Sequence, residues 1–200
     1  EGSRKMHRMD EHVWMVTAGL AGDSRYLADF LRRSCQNHIL NMGEAWRVQQ
    51  AAIEVASHHH MFTRIAGARP LGATAILFGL EHHHHHNGSS NNPRLMRCGA
   101  GGIYEDCIYC TAGKEHEKLL SALSRRYDNL NDTNAIDELM KVMQEELGRI
   151  YREPLILDIW VFRPDKSGST DAVCFANVKV TDKKSLAKLR DFREADARNR

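Results

Sequence analysis

Histidine is the residue that most invites a chemical role here, because His82 to His86 run five in a row before Asn87-Gly-Ser-Ser-Asn-Asn-Pro93. Neighbouring imidazoles on a flexible backbone can converge on a transition metal. A specific site also needs rings fixed by further hydrogen bonds, which a Ser/Asn/Gly loop does not supply. No metal site is expected there. His58-His59-His60 falls in a helical pattern, where consecutive side chains diverge by about 100° and cannot chelate together. At most one of the three, His59, is expected to face inward.

Cys107-Ile-Tyr-Cys110 has the spacing of half a zinc site or of a redox pair, but the second pair of a zinc ribbon is missing. Read as part of a strand, its two cysteines point to opposite faces, which suits neither role. Gly99-Ala-Gly-Gly102 lacks the Gly-Lys-Ser/Thr ending of a phosphate loop, and no helix N-terminus follows it. It reads as a turn. His116 between Glu115 and Glu117 is not the zincin His-Glu-x-x-His, and no Gly-x-Ser-x-Gly elbow occurs. The residues offer no catalytic set, no metal site and no cofactor loop.

The elements that position these groups follow from periodicity. Val13-Trp-Met-Val-Thr-Ala-Gly19 is rich in β-formers and predicts a buried strand. Asp23 or Ser24 would cap the helix after it, with Leu27, Leu31 and Cys35 on one face, and 41–43 would interrupt it. A second helix has Val48, Ala52, Val55, His59 and Phe62 on its inner stripe. Gly67 to Gly72 turns into a strand over 73–79. Residues 81–93 read as a low-complexity, disordered loop, followed by strands over 94–98 and 103–111. Two helices, about 114–127 and 134–150, come next; Leu119, Leu120 and Leu123 line the first, and Ile136, Leu139, Met140, Met143 and Leu147 the second. Strands over 155–162 and 172–178 pair antiparallel, and a helix from Ser185 opens the charged end, 181–200. Paired helices between antiparallel strands give an α+β class, two sheets with helix layers outside.

Composition narrows the field. Two hundred residues at 42% apolar can close one substantial core, and a net charge of +2 gives no field suited to nucleic acid or a membrane surface. No apolar run approaches the roughly 20 residues that span a bilayer. Five cysteines, Cys35, Cys98, Cys107, Cys110 and Cys174, are odd in number and dispersed. Reduced thiols in a soluble intracellular protein are expected.

Three blocks resemble one family. Arg4-Lys-Met-His-Arg-Met-Asp-Glu-His-Val13, followed by Ala18-Gly-Leu-Ala-Gly-Asp-Ser-Arg25, is similar to the opening of proteasome α-type subunits. Ala68-Arg-Pro-Leu-Gly-Ala-Thr-Ala-Ile-Leu-Phe-Gly79, preceded by Phe62-Thr63, resembles a second block of that family. Gly102-Ile-Tyr104 through Ala112-Gly-Lys114 resembles a third. The blocks keep their order over residues 4–162, and Asp23-Ser-Arg25 with Arg69-Pro-Leu-Gly72 looks most like the type 6 subunit. Gly22 before Asp23, the lengthened His/Asn stretch and Gly101-Gly102 depart from the family pattern.

The resemblance implies a single domain over 1–200 with the four-layer αββα sandwich of the N-terminal nucleophile hydrolases. It also implies that an opening helix and the first strands precede Glu1, leaving Val13 to Gly19 short of sheet partners. A non-catalytic subunit of the heptameric outer ring of the 20S particle is expected, in cytoplasm and nucleus, acting in ATP- and ubiquitin-dependent degradation through assembly and gating. Its partners would be neighbouring α subunits, β-ring subunits and the C-terminal tails of regulatory particles or activators, with no nucleic acid, membrane or cofactor. By the same resemblance Lys5 pairs with a tail carboxylate, and Leu20 forms the apolar wall of that pocket. The first helix would help form the ring interface. The competing expectation is a β-type or two-ring threonine peptidase whose nucleophile lies upstream.

Overall fold

A computed structural model of the chain describes residues 5–85, 88–127, 138–139, 141–143, 145–146, 156–164 and 170–179, with the side chains of 80–92, 156–164 and 170–179 left undescribed. The elements run β1 (Met6–Arg8), β2 (Val13–Gly19), α1 (Ala21–Met42), α2 (Val48–Arg64), β3 (Ala73–His85), β4 (Gly88–Cys98), β5 (Tyr104–Asp106), α3 (His116–Arg126), β6 (Ile156–Pro164) and β7 (Thr170–Lys179).

Strands β1 to β5 form one sheet in sequence order, every neighbouring pair antiparallel. The alternation of β2 sends Val13, Met15 and Thr17 to a fully buried face. Ala73, Ala75 and Leu77 of β3 and Met96 and Cys98 of β4 join them. Helix α1 packs on β2 and β3, and α2 on β3 and β4. Leu27, Leu31 and Cys35 meet Val48, Ala52 and Val55 in one core over that face. The expected stripes are the observed ones, except that Phe62 is only partly buried.

Local chemistry fixes the helix ends, though not as expected. Leu20, not Asp23 or Ser24, is the N-cap of α1, and its carbonyl accepts the Ser24 N–H at 2.9 Å. Asp23 sits in the first turn with its carboxylate committed elsewhere. Gly43 closes the helix in the left-handed region, φ 77°, donating its N–H to Ile39 at 2.8 Å. The Arg47 N–H donates to the Gln50 side chain at 2.8 Å and starts α2.

Several expectations are corrected. Val13 to Gly19 is not short of sheet partners, because β1 flanks it on one side and β3 on the other. The 81–93 stretch is not an irregular loop: β3 continues to His85 and β4 begins at Gly88, with rungs from Leu80↔Pro93 to His85↔Gly88. Backbone pairing needs only N–H and C=O groups, so a polar sequence can extend a ladder already nucleated by Ala75 to Gly79. β5 stops at Asp106 rather than running to 111. Both His58 and His59 are buried, where only one inward histidine was expected.

The chain divides into two compact units, 1–114 with 164–170 and 115–163 with 171–200. The first closes its core with α1, α2 and its own sheet. In the second, α3 buries Leu119, Ala122 and Leu123, while Leu120 is exposed. Val142, outside the predicted stripe, is buried and Leu139 exposed. Arg126 bridges Glu138 at 3.2 Å and Glu145 at 2.5 Å. β6 and β7 form a two-stranded sheet. The predicted helix from Ser185 lies outside the described residues.

Candidate functional site: the end of β2

Lys5 and Leu20, the residues to which the resemblance gave a role, both flank the last residues of β2. Gly19 has φ 135°, and a Cβ there would run into the Gly72 carbonyl and Ala73 Cα. That close approach lets the Leu20 N–H donate to the Gly72 carbonyl at 2.9 Å. Asp23 then ties the other half of the turn: its Oδ2 accepts the Gly72 N–H at 2.7 Å. Arg69 donates from both terminal nitrogens to the same carboxylate, at 2.6 and 2.8 Å, and from Nη1 to the Pro70 carbonyl at 3.0 Å. The fork-to-carboxylate geometry is the strong form of this ion pair. With the Arg69 hydrogen bond first and the Gly72 N–H second, the Asp23 carboxyl is drawn down to about 2.

Upon this clamp Leu20 stands 56% exposed. Lys5, also exposed, is held by its backbone: its carbonyl accepts the Thr17 N–H at 2.9 Å and the Thr17 hydroxyl at 3.4 Å. Lys5 therefore sits opposite Thr17, three residues before Leu20, beside the start of β1. Sequence reasoning had flagged the segments containing Asp23 and Arg69 as motifs, but missed that they bond each other.

A second cluster lies between α1 and α2. The His58 ring stacks on Phe30 at 3.6 Å, its Nε2 is 3.1 Å from the Tyr26 hydroxyl, and Phe62 meets it edge-on. His59 is fully buried, and neither of its ring nitrogens has a hydrogen-bond partner among the described residues. Burial first and His58 second lower its pKa, with Asp23 opposing. A group whose folded pKa is depressed keeps its neutral form at no penalty above its unfolded value, and destabilises the fold as pH falls below about 6.5. His59→Leu is therefore expected to match the parent at neutral pH and exceed it in stability in mild acid; denaturation at both pH values checks this.

Gly99 to Gly102 is a turn, the Gly102 N–H donating to the Gly99 carbonyl at 3.0 Å. Among the described residues no three His, Cys, Asp or Glu side chains gather as metal ligands, and no helix is long and apolar enough to cross a membrane. Cys107 and Cys110 do not lie on a strand; they bracket a bend after β5.

Comparison with known proteins identifies the family. The proteasome subunit family profile matches residues 1–157. The chain belongs to the proteasome subunit family. Within it the chain groups with the α-type subunits, as its relatives illustrate. It is 27% identical to proteasome subunit alpha type-7 of Caenorhabditis elegans over 149 residues, 74% of this chain and 55% of that one. It is 29% identical to proteasome subunit alpha 1 of Haloarcula marismortui over 148 residues, 72% and 54% of the two chains. Proteasome subunit alpha of Picrophilus torridus is 31% identical over 135 residues, 66% and 53%. The chain thus spans about half the length of the curated relatives it matches.

Proposed function

We propose that this chain is a non-catalytic subunit of the outer ring of the 20S particle, shaping the entry gate and docking regulatory particles in ATP- and ubiquitin-dependent degradation. Its partners on this reading are neighbouring α subunits, β-ring subunits and the C-terminal tails of activators, in cytoplasm and nucleus. The exposed Tyr26, Ile39, Leu40 and Met42 of α1 suit the ring interface expected for that helix.

The finer fold belongs to the same reading. The sheet face turned away from α1 and α2 carries Trp14, Val16, Ile76, Phe78 and Leu95, apolar and only half-buried. That face also bears Arg8, Arg97 and Glu105 toward its margins, and its apolar centre is suited to lie inside a sandwich. That favours the αββα layering.

The observation that carries the docking role is the pairing of an exposed lysine with an exposed leucine on a rigid strand end. Thr17 fixes Lys5 by its backbone, and the Gly19–Gly72 contact with the Asp23–Arg69 clamp fixes Leu20, so both side chains remain available. An ammonium offered to a tail carboxylate contributes about 1.5–3 kcal/mol. Lys5→Ala in the assembled particle is accordingly expected to weaken binding of an activator-tail peptide by about tenfold or more, measured by fluorescence anisotropy. Amidating the peptide's C-terminus should reproduce most of that loss in the parent and add little in the variant. Equal affinities for parent and Lys5→Ala would overturn the assignment.

A further inference from the structure

The C-x-x-C segment is placed differently from its sequence expectation, and the difference changes its chemistry. β5 ends at Asp106, and the chain bends through Ile108 and Tyr109. That bend turns the chain back between the two cysteines, and the Cys110 thiol lies near enough to Cys107 to feel it electrostatically. Cys107 is pinned: its N–H donates to the Leu95 carbonyl at 2.8 Å and its thiol to the Glu105 carbonyl at 3.6 Å. Both cysteines are half-buried, whereas Cys35 and Cys98 are closed off in the core.

We propose that Cys107 and Cys110 form a reversible dithiol–disulfide pair, oxidised by a low-molecular-weight disulfide of the glutathione class. Cys107 attacks first. Its thiolate bonds one glutathione sulfur and the other leaves as a glutathione thiolate, which takes up the proton Cys107 released. Cys110 then loses its proton and attacks the Cys107 sulfur, expelling the second glutathione thiolate. Two protein thiols and one glutathione disulfide become one protein disulfide and two glutathiones.

The surroundings set the character of this pair. Burial and then Glu105 raise the Cys107 thiol, and burial lifts Cys110 to about 12. Attack is slow, because little thiolate exists near neutral pH. The reduced form is not stabilised as a thiolate either, so the disulfide, once formed, is not a strong oxidant. The pair therefore suits a slow, persistent response rather than rapid exchange. Closing the ring locks the bend that carries Ile108, 76% exposed, and so alters the surface offered there.

The test incubates the full chain, in its assembled state, with a large excess of glutathione disulfide. Acid quenching, alkylation in denaturant and peptide mass spectrometry follow, with cleavage at Glu105 to separate Cys98 from the pair. The expected result is loss of two hydrogens from the peptide carrying Cys107 and Cys110, loss of both alkylation sites, and reversal by dithiothreitol. Cys98 stays alkylatable. Cys110→Ser should instead accumulate a glutathione adduct on Cys107. If the parent retains both alkylatable thiols, or holds the same stable adduct on Cys107 with Cys110 free, the proposal fails. The parent titration alone decides between these outcomes, whatever the variant's folding.

Discussion

Gly79→Ala is expected to destabilise the protein by about 3 kcal/mol or more, enough to abolish soluble folded chain in many backgrounds. Gly79 pairs with Val13 in the β2–β3 ladder, and a Cβ at this position would run into the carbonyl oxygen of His12 and press on Val48 Cγ2. The obstruction is backbone, which cannot rotate aside as a side chain can. Relief requires parting β2 from β3, the neighbouring strands on which α1 packs. Gly101→Ala, whose Cβ meets nothing within 4 Å, serves as the control and should fall within about 0.5 kcal/mol of the parent. Denaturant unfolding of both variants checks the contrast; equal midpoints would mean that His12 does not approach β3 so closely.

Asp23→Ala should lose about 2–3 kcal/mol, since the Gly72 N–H and the Arg69 fork lose their acceptor together. The carboxylate is nearly enclosed while the guanidinium is largely exposed, at 12% and 63% of side-chain area. Arg69→Ala therefore costs less, because Asp23 keeps its backbone donor and Arg69 is screened by water. The pH dependence has a definite sign. With a folded pKa near 2 and an unfolded value of about 3.9, the contribution of Asp23 is complete above roughly pH 4 and is lost as pH falls toward 2. Parent and Asp23→Ala unfolding curves should converge through that interval. A constant gap between them would assign the loss to packing instead of charge.

What the sequence made legible is what depends on local periodicity. The bounds of β2, the apolar stripes of α1 and α2, and the stop at Gly43 all follow from spacing and turn chemistry within a few residues. Pairing across distance was not legible. Nothing adjacent to Asp23 announces that its acceptor role goes to Arg69 and Gly72, 46 and 49 residues on, rather than to the start of its own helix. The C-x-x-C geometry failed for a related reason: the strand pattern was extended beyond Asp106, and a bend reverses which side chains share a side. The histidine run misled through composition, because polar, glycine-bearing sequence reads as loop even when a neighbouring strand continues its hydrogen bonding. The role proposed for Lys5 and Leu20 rests on resemblance, since an exposed lysine and an exposed leucine carry no periodic signature.

The continued ladder between His82 and Asn91 has a consequence for how the hairpin tolerates change. Elsewhere in the sheet, sliding one strand by a residue would swap core for solvent faces and be rejected at once. Along His82 to His85, facing Asn91, Ser90, Ser89 and Gly88, a one-residue slip in one direction replaces each histidine by the next histidine, and in the other brings Glu81 into the place of His82 alone. This arm has translational slack, like a vernier with identical marks, and its length is set by the rigid frame at Ala75 to Gly79 instead of by its own side chains.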